Sequence, residues 1–103
     1  MKEINAIIES TMLGIEDHGI MTFFLYLQYN SCGQGFGGYC LKGDKSIEAI
    51  RKVLETVGVM KWEDLKGKYV RIRKPDTYNG RIEAIGHIVE DRWWSPTEHW
   101  VDA

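Results

Sequence analysis

The sequence predicts an α+β fold, a mostly antiparallel curved sheet or small open barrel of about five strands with one main helix packed on it. Three observations support this class. One segment carries an apolar stripe at helical spacing, several others are rich in β-branched and aromatic residues, and clusters of turn residues separate them. The segments run in the order three strands, one helix, two strands, which is typical of an α+β fold. A chain of 103 residues is expected to form a single domain, which spans residues 1–103.

The first part of the chain predicts three strands. Lys2 to Leu13 is the first, and the polar turn residues Glu16 to Gly19 follow it. The run from Ile20 to Tyr29 is almost continuously apolar, which indicates burial on both faces, in a core or at a subunit contact. Phe36 to Leu41 predicts a third, shorter strand.

One segment, Ser46 to Val57, predicts a helix. Ser46 is the expected N-cap, and Gly58 is suited to close the C-terminal end. The apolar side chains recur at helical spacing and predict a core-facing stripe formed by Ile47, Ile50, Val53, Leu54 and Val57.

The C-terminal part of the chain, from residue 62, predicts a short helical turn at Trp62 to Gly67 and two strands, Tyr69 to Lys74 and Arg81 to Val89. The dipeptide Asn79-Gly80 before the second of these strands is a strong hairpin signal. Three of the four tryptophans lie in the tail, residues 91–103. Because such an aromatic tail is costly to leave in water, we expect it to dock, on its own domain or on a neighbouring subunit.

Charge, hydropathy, cysteine spacing and motif content argue against several classes of function. The formal net charge of −2 provides no positive field for duplex nucleic acid, so a phosphate-bearing ligand is expected to be small. No apolar run is long enough to span a membrane and no signal peptide is evident, so a cytoplasmic location is expected. The spacing of Cys32 and Cys40 fits no zinc motif. No catalytic motif is recognisable, and neither catalysis nor a cofactor is expected.

The stretch from Cys32 to Cys40 is the most informative part of the chain. Four of the 11 glycines fall within six of its residues, between two aromatic side chains and one amide. Consecutive backbone N–H groups in such a loop can form a site for an anion. The same residues are also typical of a bulged strand that turns against the core. The sequence leaves both interpretations open.

A nucleotide needs N–H groups or cations for its phosphate, an aromatic face for its base and polar groups for its edges. The glycine-rich stretch could supply the first, and the candidate cations are Arg71, Arg73, Arg81 and Arg92. Phe36 and a C-terminal tryptophan would sandwich the base. The candidate ligand-binding residues are Asp17, His18, Gln34, Gly35, Phe36, Gly37, Gly38, Tyr39, Arg71, Arg92, Trp93 and Trp94.

Three segments also carry a resemblance to a family, Ser10 to Ile20, Gly33 to Tyr39 (Gly-Gln-Gly-Phe-Gly-Gly-Tyr) and Gly86 to Trp93. Here the chain resembles a group of small proteins encoded in phages and prophages. Phage proteins of this size commonly blunt host defence. The chain is similar to one such class, the anti-Thoeris and anti-CBASS sponges, in size, aromatic content and glycine-rich loop.

The resemblance implies a homo-oligomer in the cytoplasm of an infected bacterium that sequesters a cyclic nucleotide or cyclic ADP-ribose signal without catalysis. The alternative is a protein–protein inhibitor of a host defence effector, such as a CRISPR or nuclease complex, with exposed aromatic side chains as its anchors. A binder of single-stranded nucleic acid would need a basic groove, which the net charge disfavours.

Overall fold

The structure is a computed structural model, and it describes residues 1–77 and 80–100. It contains six strands, one α-helix and two short 3₁₀ turns. In chain order these are β1 (Lys2–Ile15), β2 (Met21–Tyr29), β3 (Cys32–Gly37), α1 (Asp44–Val57), a 3₁₀ turn (Trp62–Asp64), β4 (Tyr69–Lys74), β5 (Ala84–His87), β6 (Trp93–Trp94) and a second 3₁₀ turn (Pro96–Glu98).

The six strands form one antiparallel sheet in the order β3-β2-β1-β4-β5-β6. The sheet is open, and α1 packs against the β5–β6 end of it. The predicted α+β class is therefore confirmed, with six strands in place of about five. No helix among residues 1–77 and 80–100 has the length and apolarity needed to cross a membrane.

β1 and β2 form a long hairpin whose register shifts between Ile8 and Ser10. Along β2 the buried residues Phe23, Leu25 and Leu27 alternate with the half-buried Phe24 and the exposed Tyr26. The expected burial of β2 on both faces is thus not found within the chain. One face packs in the core and the other carries aromatic side chains, because the helix covers a single side of the sheet.

The third strand lies earlier than predicted, at Cys32–Gly37 and not at residues 36–41. Asn30 and Ser31 both adopt positive φ angles, 47° and 65°, and connect β2 to β3 through a two-residue turn. β3 ends at Gly37, and the positive φ angles of Gly37 and Gly38 turn the chain out of the sheet. The predicted strand was wrong by four residues at each end, because Gly33 and Gly35 lie within the strand and Gly38 already lies beyond it.

The helix α1 begins two residues before the predicted start. Gly43 is its N-cap and no side chain caps it, since the Ser46 hydroxyl donates to the carbonyl of Lys42. The predicted Ser46 cap is therefore wrong. At the other end Gly58 adopts a left-handed conformation (φ 93°), as predicted. The apolar stripe also differs, because Ile47 is 69% exposed and Ala49 is fully buried.

In the C-terminal part, the predicted strand at residues 81–89 contains β5 at residues 84–87 only. Asn79 of the predicted hairpin lies outside the described residues. β6 pairs with β5 and places Trp94 in the core with no exposed surface, so this part of the tail docks on its own sheet. The core lies between α1 and one face of the sheet, and its largest fully buried side chains include Trp94, Phe23, Ile8, Leu25, Leu65 and Ile72.

Candidate functional site

The glycine-rich strand β3 borders one cavity at each end, and one of its side chains packs in the core. That side chain is Phe36, the next-to-last residue of the strand, which is only 2% exposed. One cavity begins at Cys32, Gly33 and Gln34, and the other at Gly37 and Gly38. The segment is therefore neither a free ligand loop nor wholly sealed in the interior.

The larger cavity, of about 990 Å³, is an open groove beside the start of α1. We call it the helix-start groove. Its volume is at the upper end of the range for small-molecule sites. It is lined by Gly37, Gly38, Tyr39, Cys40, Lys42, Gly43, Asp44, Lys45, Arg81, His99 and Trp100.

An aromatic pair lines the helix-start groove. The rings of Tyr39 and Trp100 are stacked with centroids 5.3 Å apart and planes only 7° from parallel. His99 lies beside them, 5.9 Å from the Trp100 ring. Both Tyr39 and Trp100 are half-buried, so the stack presents a flat apolar surface on which a purine or other planar ring can stack.

Positive charge surrounds this aromatic pair. Lys42, Lys45 and Arg81 line the groove, and Asp44 is the one carboxylate among the lining residues that the structure describes. These described residues carry a surplus of two positive charges with His99 neutral. The first turn of α1 adds N–H groups that no side chain caps. Such a helix start favours an anion, and the lysines on either side strengthen that preference.

The pKa of Tyr39 reflects both the partial burial of its ring and the positive charge of the groove. Partial burial raises the pKa of its phenol above the ordinary value of 10.0, and the positive charge of Arg81 opposes that shift. Arg81 is thus close enough to Tyr39 for its positive charge to favour the ionised phenol.

The glycines do not act as the phosphate cradle that the sequence suggested. The N–H of Gly38 donates to the carbonyl of Phe23, and Gly35 and Gly37 pair with β2. Among them Gly37 has a steric role, since a Cβ on it would lie 2.2 Å from the Phe23 carbonyl oxygen. The anion-binding capacity of the groove lies instead in the lysines, Arg81 and the helix start.

The suggested sandwich of a base between Phe36 and a C-terminal tryptophan is not available. Phe36 and Trp94 are packed edge to face in the core, with ring centroids 5.9 Å apart. The Trp94 indole N–H donates to His99 Nδ1. Both rings are buried, so these two residues belong to the hydrophobic core and are not accessible to a ligand.

Arg71 and Trp93 come together on the opposite face of the sheet, away from the groove. The Arg71 guanidinium donates to the carbonyls of His87 and Glu90, and it lies over the Trp93 ring together with Arg73. Arg71 is thus engaged in structural bonds.

The remaining predicted residues are dispersed. Arg92 is exposed next to Gly58, and Gly35 is exposed on the outer face of β3. Gln34 lines the smaller cavity. None of these three lines the helix-start groove.

Asp17 and His18 lie in the β1–β2 turn, and neither lines either of the two cavities. Glu16 organises this turn, since its carboxylate accepts from the backbone N–H groups of His18 and Ile20 and contacts the His18 ring. Hydrogen bonding to the His18 ring lowers the pKa of Glu16. The residues form a turn-stabilising cluster.

Of the twelve predicted residues, the structure places Gly37, Gly38 and Tyr39 at the helix-start groove. Arg81, one of the four candidate cations, also lines it, whereas Lys42, Lys45 and Trp100 were not predicted. A signal for two of them was present, because lysines directly before a helix lie beside its positive end. No local pattern could bring Trp100 to Tyr39, which lies 61 positions earlier in the sequence.

Among the described residues, no group of three or more His, Cys, Asp or Glu side chains is arranged to hold a metal ion. Comparison with protein-family models gives no match to this sequence. A search of curated proteins also gives no significant match.

Proposed function

We propose that the protein binds a small nucleotide-derived anion in the helix-start groove and sequesters it without catalysis. The observation that carries this proposal is the meeting of a stacked aromatic pair with three cations and an uncapped helix start around one open cavity. A nucleotide combines a planar base with an anionic phosphate, and this groove offers a surface for each.

The resemblance to small phage-encoded proteins supports a more specific form of this proposal. The ligand would be an immune signal of the cyclic nucleotide or cyclic ADP-ribose type. The protein would then act in the cytoplasm of an infected bacterium, where it withholds the signal from a host effector. Duplex nucleic acid would be excluded as a partner by the net charge of −2.

Isothermal titration calorimetry against cyclic dinucleotides, cyclic trinucleotides and ADP-ribose isomers tests the proposal. One member of the panel is expected to bind, and Arg81→Met is expected to weaken it by about 10- to 100-fold, because a charge-assisted contact is lost. Arg51→Met is the matched control, since Arg51 is exposed on α1 and pairs with Glu55. Chromatography should recover the bound molecule unchanged.

The outcome that would contradict the proposal is absence of binding across the whole panel. Equal loss of affinity in the Arg81→Met and Arg51→Met variants would also contradict it, because the effect would then be one of general charge. Chemical conversion of the bound ligand during incubation would refute only one part of the proposal, that the protein acts without catalysis.

A second candidate function, inhibition of a host protein by direct contact, is favoured by a different surface. The far end of the β1–β2 hairpin exposes four aliphatic side chains, Leu13, Ile15, Ile20 and Met21. We call these four residues the hairpin tip. Clustered exposed apolar residues often mark a protein contact, which would be a second copy of this chain or a host effector. Trp94 cannot be one of the exposed aromatic anchors expected for such an inhibitor, because it is buried.

A further inference from the structure

The smaller cavity contains a buried lysine, and we propose that it binds a second ligand, a small organic anion, through the ammonium group of Lys74. The cavity has a volume of about 510 Å³ and lies at the opposite end of β3 from the helix-start groove. This inference does not depend on the proposed function, since none of the residues that line this cavity lines the groove.

Lys74 is unusual because it is only 6% exposed and faces the core side of β4. Among the described residues, no carboxylate oxygen lies within 4 Å of its Nζ atom. Burial of an ammonium group without a counter-ion is costly. An ammonium group held in this way at a cavity wall is suited to bind a negatively charged group of a ligand.

The hydrogen bonds of Lys74 fix its orientation and leave donors unused. Nζ donates to the Tyr29 hydroxyl at 3.0 Å, the hydroxyl donates to Gln34 Oε1 at 2.5 Å, and Gln34 Nε2 donates to the carbonyl of Gly80 at 3.1 Å. An ammonium has three N–H donors. Within residues 1–77 and 80–100, the Tyr29 hydroxyl is the one acceptor that Nζ has, so two donors remain for a ligand.

The other lining residues define the class of ligand. Lys2 and Asp76 also line the cavity, but they pair with each other at 3.0 Å, so the charge of Lys74 is the surplus. Asn30 and Thr77 add polar groups, while Ile4 and Pro75 give an apolar wall. The volume lies within the range for small-molecule sites. These features fit an organic molecule with one carboxylate or phosphate head and a short carbon skeleton.

The test measures thermal unfolding of the full chain with glycerol 3-phosphate or butyrate, against sodium chloride at equal ionic strength. At about 100 times its dissociation constant, a bound probe is expected to raise the unfolding midpoint by about 10 °C. Lys74→Met should abolish this shift while preserving the fold, since a buried charge is often replaced by an apolar side chain without loss of stability. Arg81→Met, in the helix-start groove, should retain the shift.

The two probes distinguish a phosphate from a carboxylate ligand, and a shift with either one supports the site. A shift that persists in Lys74→Met, or that disappears only in Arg81→Met, would overturn the proposal. Absence of a shift with both probes in the unsubstituted protein would overturn it as well. If Lys74→Met does not fold, Gln34→Leu provides a second variant, because it releases Tyr29 and should weaken the probe without removing charge.

Discussion

Two glycines that flank Phe36 show how single residues shape the candidate site. Gly37 has a φ of 134°, and a Cβ there would lie 2.2 Å from the Phe23 carbonyl oxygen. Gly35 has no such restriction, since its nearest neighbour would be a Phe24 ring atom at 3.7 Å. Only Gly37 is therefore required by the backbone, and it sets the point where β3 leaves the sheet and the groove begins.

We predict that Gly37→Ala lowers the free energy of unfolding by about 2–4 kcal/mol, because it adds both a steric clash and a strained backbone. Gly35→Ala is the matched control and should change it by no more than about 0.5 kcal/mol. Urea unfolding followed by tryptophan fluorescence measures both. Equal stability of the two variants would show that Gly37 has no special conformational role. For the same reason, Gly37 variants are unsuitable as tests of ligand binding.

At the scale of elements, the β5–β6 hairpin places two neighbouring tryptophans in opposite environments. Trp94 is completely buried against Phe36 and Phe23, while Trp93 lies on the outer face under the guanidinium groups of Arg71 and Arg73. This follows from the alternation of side chains along a strand. β6 is only two residues long, so its stability depends on these packing contacts more than on its backbone pairing.

Trp94→Ala is expected to lower the free energy of unfolding by about 3–5 kcal/mol, the usual result of removing a fully buried large side chain. Trp93→Ala should lower it by about 1 kcal/mol, since it loses mainly a surface cation–π contact. Chemical denaturation of both variants compares them directly. A larger loss for Trp93→Ala would mean that the outer face of the sheet, and not the core, holds the C-terminal segment in place.

For the whole molecule, sequence patterns predicted the fold class better than the site. The strand β4, the helix α1 and its Gly58 cap follow from local periodicity and glycine conformation, and these features agree with the structure. The strand β3 was misplaced because a glycine-rich strand has no β-branched signal. The site depends on residues that are distant in the sequence, such as Tyr39 and Trp100, whose rings meet only in the folded chain. Local sequence patterns do not predict such a contact.

The hairpin tip bears on the assembly of the whole molecule. Ile15 is 71% exposed and Ile20 is 42% exposed, and Leu13 and Met21 are exposed as well. A single exposed aliphatic residue is ordinary, but a group of four at the end of one hairpin is a candidate contact between copies. We therefore expect the protein to form a homo-oligomer through this tip. The double variant Ile15→Glu, Ile20→Glu should then be monomeric, because burying the new carboxylates would be too costly.

Size-exclusion chromatography with multi-angle light scattering measures the mass of each form. The control is Ile47→Glu, which places a carboxylate at an isolated exposed position on α1, 69% exposed, and should leave the oligomer intact. Circular dichroism should show the same secondary structure in all three proteins. A monomeric unsubstituted protein would exclude self-association at the tip. If this monomer nevertheless binds its nucleotide ligand, the groove is complete within one chain. The hairpin tip would then be the surface on which a host protein docks.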